Sequence, residues 1–148
     1  MRLYLDSCCL NRPFDDQNQL RVRLEAEAIR TIFQLCEAGL HQWIGSKVLH
    51  YELSQTPDDK RRQRTIDLLE LADEMADFVP ADRARASELT LLGFADFDAA
   101  HLATAERLAC DVFLTTDDRL IKRAALLIPA QLNLRALNPL SWLQEIDE

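Results

Sequence analysis

The chain has 148 residues, 48% of them apolar and 28% charged, with 3 Gly and 5 Pro. That length suits one domain that buries roughly 70% of its unfolded surface, and the composition excludes disordered and fibrous classes. A formal charge of −8, from 25 acids against 17 Lys and Arg, excludes a nucleic-acid binder that works by global attraction.

The chain opens with a short apolar run, "RLYL", ending on Asp6, as expected of a strand covered on both faces. A helix is expected from Gln19 to Ala38, where Leu24, Ala28, Ile32 and Leu35 recur at helical spacing and Gly39 supplies a stop. "LHQWIGS" (Leu40 to Ser46) reads as a second strand and "KVLHYELSQ" as a short helix carrying Glu52, interrupted by Pro57. A third helix is expected from about Asp58 to Asp77, with Ile66, Leu69 and Ala72 on one face, and "FVP" as a brief strand or a turn. Another helix spans about Asp82 to Leu92, and "ADFDAAHLATAERLA" starts the next. "CDVFLTT" is a clear strand that again ends on an acid, Asp117. A helix from Arg119 to Leu127, a strand "NLRAL" and a terminal helix from about Ser141 complete the chain.

Strands alternating with helices predict an α/β fold: a single domain over residues 1–148, its central parallel sheet of four to five strands flanked by helices on both faces. No apolar run reaches the roughly 18 residues of a membrane span, and no signal-peptide pattern opens the chain, so a cytoplasmic location without membrane attachment is expected. Cys8, Cys9, Cys36 and Cys110 form neither a CxxC pair nor a zinc-ligand spacing and are expected as reduced thiols.

Ligand crevices of open α/β sheets lie beyond the carboxyl ends of the strands, which is where Asp6 and Asp117 belong. Two carboxylates at adjacent strand ends repel by several kcal/mol at about 4 Å unless a cation lies between them. Oxygen ligands without a Cys or His pattern select Mg2+ or Mn2+ over zinc. Each acid also has a structural reading: Asp117 and Asp96 fit helix caps, Asp98 a first helical turn and Glu52 a solvated helix face.

The pieces "LYLDSC", "VLHYEL", "FDAAHLATAE" and "FLTTDDRL", in this order and spanning nearly the whole chain, resemble the PIN-domain nucleases, including the VapC-type ribonuclease toxins of bacterial toxin–antitoxin pairs. The resemblance implies a single PIN-like domain in which Asp6, Glu52, Asp98 and Asp117 are the catalytic, metal-binding acids. Asp96 is then left as the cap. Ser7 and Thr115 match positions where the family often places hydroxyls, which would orient the carboxylates, and Asp118 is a less certain fifth acid. It further implies Mg2+- or Mn2+-assisted hydrolysis of RNA to 5′-phosphate and 3′-hydroxyl ends, a homodimer and a cognate antitoxin protein. Two divalent ions would add +4 to −8, leaving −4.

Arg119, on the helix after Asp117, is the preferred phosphate contact, and Arg12, past Asp6, is the next. Lys60, Arg61, Arg62 and Arg64 read as a solvated face, and His101, three residues after Asp98, as structural or solvated. The alternative reading is a noncatalytic PIN-like binding or regulatory module whose acidic cleft takes a basic partner. A haloacid-dehalogenase-type phosphatase is disfavoured because Cys8 stands where that chemistry needs a second acid.

Overall fold

The computed structural model describes residues 1–147. Five strands, β1 (Arg2–Leu5), β2 (Gln42–Ser46), β3 (Glu74–Ala76), β4 (Val112–Leu114) and β5 (Arg135–Leu137), form one all-parallel sheet in the order β3-β2-β1-β4-β5. Eight α-helices connect and cover them among the described residues: α1 (Ser7–Asn11), α2 (Leu20–Glu37), α3 (Lys47–Ser54), α4 (Asp59–Leu69), α5 (Pro80–Leu91), α6 (Asp96–Arg107), α7 (Asp118–Leu127) and α8 (Pro139–Ile146). No helix among the described residues is long and apolar enough to cross a membrane.

Successive strand residues point to opposite faces, and both faces are buried, which is why the strands read as continuous apolar runs. Tyr4, Ile44, Phe113 and Ala136 enter one core with residues of α5, α6 and α7. Leu3, Leu5, Trp43, Val112 and Leu114 enter the other with residues of α1, α2, α3, α4 and α8.

Several elements depart from the sequence reading. The expected helix from Asp58 to Asp77 ends at Leu69, and its last part forms β3 at Glu74–Ala76, just before "FVP". Gly45 explains the boundary: a Cβ there would lie 2.9 Å from Leu69 Cδ1 and 3.1 Å from Ala72 Cβ, so the chain leaving α4 presses against bare β2 backbone. The buried residues of α2 are Val22, Glu25, Ala26, Ala28, Ile29, Ile32 and Cys36, so Ala28 and Ile32 lie inside as expected while Leu24 is exposed. The short α1 and the following 3-10 turn Arg12–Phe14 were not anticipated, and α8 starts two residues before Ser141.

Candidate metal centre

The sheet order reverses direction between β1 and β4, and a crevice opens at such a switch point. Asp6 directly follows β1 and Asp117 follows β4, with the strand ends tied by the Asp6 amide donating to the Leu114 carbonyl at 2.9 Å. Glu52 comes in on α3 and Asp98 on the first turn of α6.

Asp6 is almost fully buried. Its Oδ1 accepts the Ser7 amide at 2.8 Å, and its Oδ2 accepts the Thr115 hydroxyl at 2.9 Å. Thr115 Oγ1 in turn accepts the Asp117 amide at 3.1 Å, so one buried hydroxyl links the two strand-end acids. Asp117 is exposed and does cap α7, its Oδ1 accepting the amides of Arg119 at 3.0 Å and Leu120 at 3.3 Å. Capping engages Oδ1 alone in these bonds. Asp96, expected as a cap, is instead the first residue of α6: Ala95 holds the cap position and no side chain bonds there.

Glu52 Oε1 lies 2.7 Å from Nε2 of the fully buried His101, and single ligand atoms of Asp6, Glu52 and His101 all lie within 4.8 Å of one another. The Asp98 carboxyl is pushed up to about 6, by burial first, then by the negative charges of Asp6 and Asp117, with Glu52 adding to them. Burial likewise raises Asp6 and the Glu52 charge adds to it, against the Thr115 hydroxyl and the Ser7 amide, which favour its charged form. Carboxylates that resist ionisation beside one another are the electrostatic mark of a site that a cation would relieve. Carboxylate oxygens suit a hard divalent ion; among the described residues Asp6 and Glu52, with His101, bring ligand atoms within 4.8 Å of one another, while Asp98 is half-buried and Asp117 is exposed, both outside that group.

The remaining expected residues divide. Thr115 orients Asp6, while Ser7 contributes its backbone amide. Asp118 is directed away from this group: both its oxygens take Arg21 at 2.9 Å, and Arg21 also donates to the Thr116 carbonyl at 3.2 Å. Arg12 is committed within the fold, with Nη1 3.1 Å from Asp15 and Nε 3.1 Å from buried Glu25. Arg119 is exposed beside Asp117. Of the basic run, Arg61 bonds Asp15, Asn11 and the Phe14 carbonyl, and Arg62 bonds Asp59 and the Thr56 carbonyl, so both staple the fold rather than face solvent freely.

His101, read as structural or solvated, is buried, but sequence reasoning missed that it joins Glu52 in one buried chain with Tyr4 and Ser46, and missed Cys8, whose Sγ is 3.6 Å from Asp6 Oδ2. The legible signal for His101 was its position one helical turn after Asp98. Beside the acids, Val48, Tyr51, Phe78, Phe97 and Ala100 line an apolar groove of about 500 Å³ with Lys47 and Asp96 at its edge.

The fold is an all-parallel five-stranded α/β sheet with acids near its switch point. No family model matches the sequence, and no curated protein matches it. Solved structures do. The chain is similar to one in VapBC2 from Rickettsia felis bound to a DNA fragment from their promoter, with 17% identity, TM-score 0.62, and 93% of this chain and 98% of that chain covered. It is similar to one in VapBC-1 from nontypeable Haemophilus influenzae, with 15% identity, TM-score 0.60, and 94% and 98% covered. FitAcB from Neisseria gonorrhoeae gives 15% identity, TM-score 0.59, and 93% and 97% covered.

Proposed function

We propose that this protein is a divalent-metal-dependent endoribonuclease and the toxin of a type II toxin–antitoxin pair. The observation that carries the reading is the gathering of acids at the switch point: ligand atoms of Asp6 and Glu52 lie within 4.8 Å of each other and of His101, and Asp98 is near enough to Asp6, Asp117 and Glu52 for their charges to oppose its ionisation. The likeness of fold to VapBC structures supports the toxin assignment. Mg2+ or Mn2+ bound by Asp6, Glu52, Asp98 and Asp117 would neutralise their repulsion and activate water for phosphodiester hydrolysis.

The chain's own residues set the stage for that chemistry. Thr115 and the Ser7 amide hold the Asp6 carboxylate in one orientation, and α7 fixes Asp117 through its first-turn amides. Arg119, exposed next to Asp117, would receive a substrate phosphate. The antitoxin is a basic-tipped protein that replaces metal charge in the cleft, and the active form is a homodimer in the cytoplasm.

The test is cleavage of a mixed RNA pool by wild type and Asp6→Asn with Mg2+, Mn2+ or EDTA, followed by end-group analysis. Metal-dependent products with 5′-phosphate ends, lost in the variant, are expected. A folded, antitoxin-free protein inert on RNA would overturn the reading. The net charge of −8 favours a second reading, a noncatalytic module that holds a basic partner in the acidic cleft. It predicts a biological effect that survives Asp6→Asn.

A further inference from the structure

A chain of short hydrogen bonds runs through the buried interior from the start of α3 to Glu52. The Leu49 amide donates to Ser46 Oγ at 3.0 Å, Ser46 Oγ lies 2.6 Å from Tyr4 Oη, Tyr4 Oη lies 2.6 Å from His101 Nδ1, and His101 Nε2 lies 2.7 Å from Glu52 Oε1. Ser46, Tyr4 and His101 are each fully buried, so every proton in the chain needs an acceptor within it.

Counting donors assigns the direction. Ser46 Oγ already accepts the Leu49 amide, and its own proton has Tyr4 Oη as its acceptor. Tyr4 then donates to Nδ1 of His101, which leaves the ring proton on Nε2, aimed at Glu52. Reversing the chain strands the Ser46 proton without an acceptor. With a single ring proton it also sets the Nε2 lone pair against a carboxylate oxygen 2.7 Å away.

Building on the metal reading of the acids, we propose that His101 is a positioning residue for Glu52: neutral, protonated on Nε2, it donates to Oε1 and holds the carboxylate toward Asp6. His101 is therefore not itself a cation ligand, although its Nε2 is close enough to the acids to be mistaken for one. Helix α6 thus serves the crevice twice, with Asp98 as an acid and His101, one turn later, as the clamp on the acid that α3 supplies. A second shell of this kind fixes ligand orientation and tunes the ion it supports.

The test uses the full chain and Mn2+ as the probe. In the metal-free protein labelled with 15N-histidine, the His101 ring should show a proton on Nε2 and a bare Nδ1. Mn2+ affinity should fall about tenfold or more in His101→Phe. It should fall less in Tyr4→Phe, which keeps the ring packing, and should largely recover in His101→Gln, whose amide keeps a donor toward Glu52. A packing role alone predicts the reverse, with Phe tolerated better than Gln. The Mn2+ electron-spin-echo spectrum should lack a directly coordinated 14N.

A ring proton on Nδ1, wild-type affinity in His101→Phe, or a coordinated histidine nitrogen would overturn the proposal. If the wild type held the Nε2 proton yet bound no Mn2+, the metal reading would fall while the clamp on Glu52 stood.

Discussion

Half-buried among Asp6, Asp117 and Glu52, the Asp98 carboxyl titrates near 6, above its ordinary value of 3.8. The sign of its effect follows from linkage. Between these two values the folded state binds more protons than the unfolded state, so stability falls as pH rises through the window, and the charged form is a cost above it. Asp98→Asn in EDTA at about pH 8 should therefore be the more stable protein, by about 1 kcal/mol after discounting for its half-exposed position, or ~3 °C in melting temperature. The difference should shrink as pH falls below 6, and a variant no more stable at high pH would refute it. Because an ion must displace the same proton, Mn2+ affinity measured by calorimetry should rise with pH through about 6 and level off above it.

Among the elements, α7 is capped by Asp117, which in the proposed site would also carry charge to the ion. Asp117→Asn preserves a good cap and deletes only charge, whereas Asp117→Ala should lose a further ~1 kcal/mol of stability. Comparing chemical denaturation of the two separates the roles. At β2, Gly45→Ala should cost about 1–3 kcal/mol, because the added methyl meets Ala72 Cβ at 3.1 Å on the chain leaving α4 and displaces the Leu69 Cδ1 that lies at 2.9 Å. A neutral result would mean the exit from α4 yields easily.

These two places also mark where the sequence was legible. Asp6 and Asp117 stood out because apolar strands ended on acids. The end of α4 did not, because Leu69 and Ala72 continue a helical spacing and only the approach to Gly45 stops the turn. Asp96 read as the cap and Asp98 as the first turn of α6, and local pattern carried no sign that Ala95 would hold the cap position instead. The Tyr4–Ser46 contact joins residues 42 apart and was invisible to any local periodicity. Arg12 looked available for phosphate for the same reason, since its partner Glu25 lies on the next helix.

For the molecule as a whole, the sheet class was readable because every strand is short, apolar and separated by helical segments, and the order β3-β2-β1-β4-β5 supplies the crevice. Relief of acid repulsion should make the entire fold metal-linked. Mn2+ at about a hundred times its dissociation constant should add ~2.7 kcal/mol, a gain reversed by EDTA and absent in Asp6→Asn. Equal melting curves with and without the ion would contradict this linkage.

The Asp6–Leu114 backbone bond has a metrical consequence. Neighbouring strands sit about 4.8 Å apart, so the backbone that carries Asp6 is held at a fixed distance from the end of β4. Asp117 lies beyond β4 as the cap of α7, and Glu52 and Asp98 ride on α3 and α6. An ion larger than Mg2+, such as Ca2+ with ligands at about 2.3–2.6 Å instead of about 2.0–2.1 Å, is then expected to be accommodated by the acids that stand outside the strand pair. Size discrimination between these ions is therefore expected to change with Asp98→Glu and to stay constant when the sheet is merely destabilised.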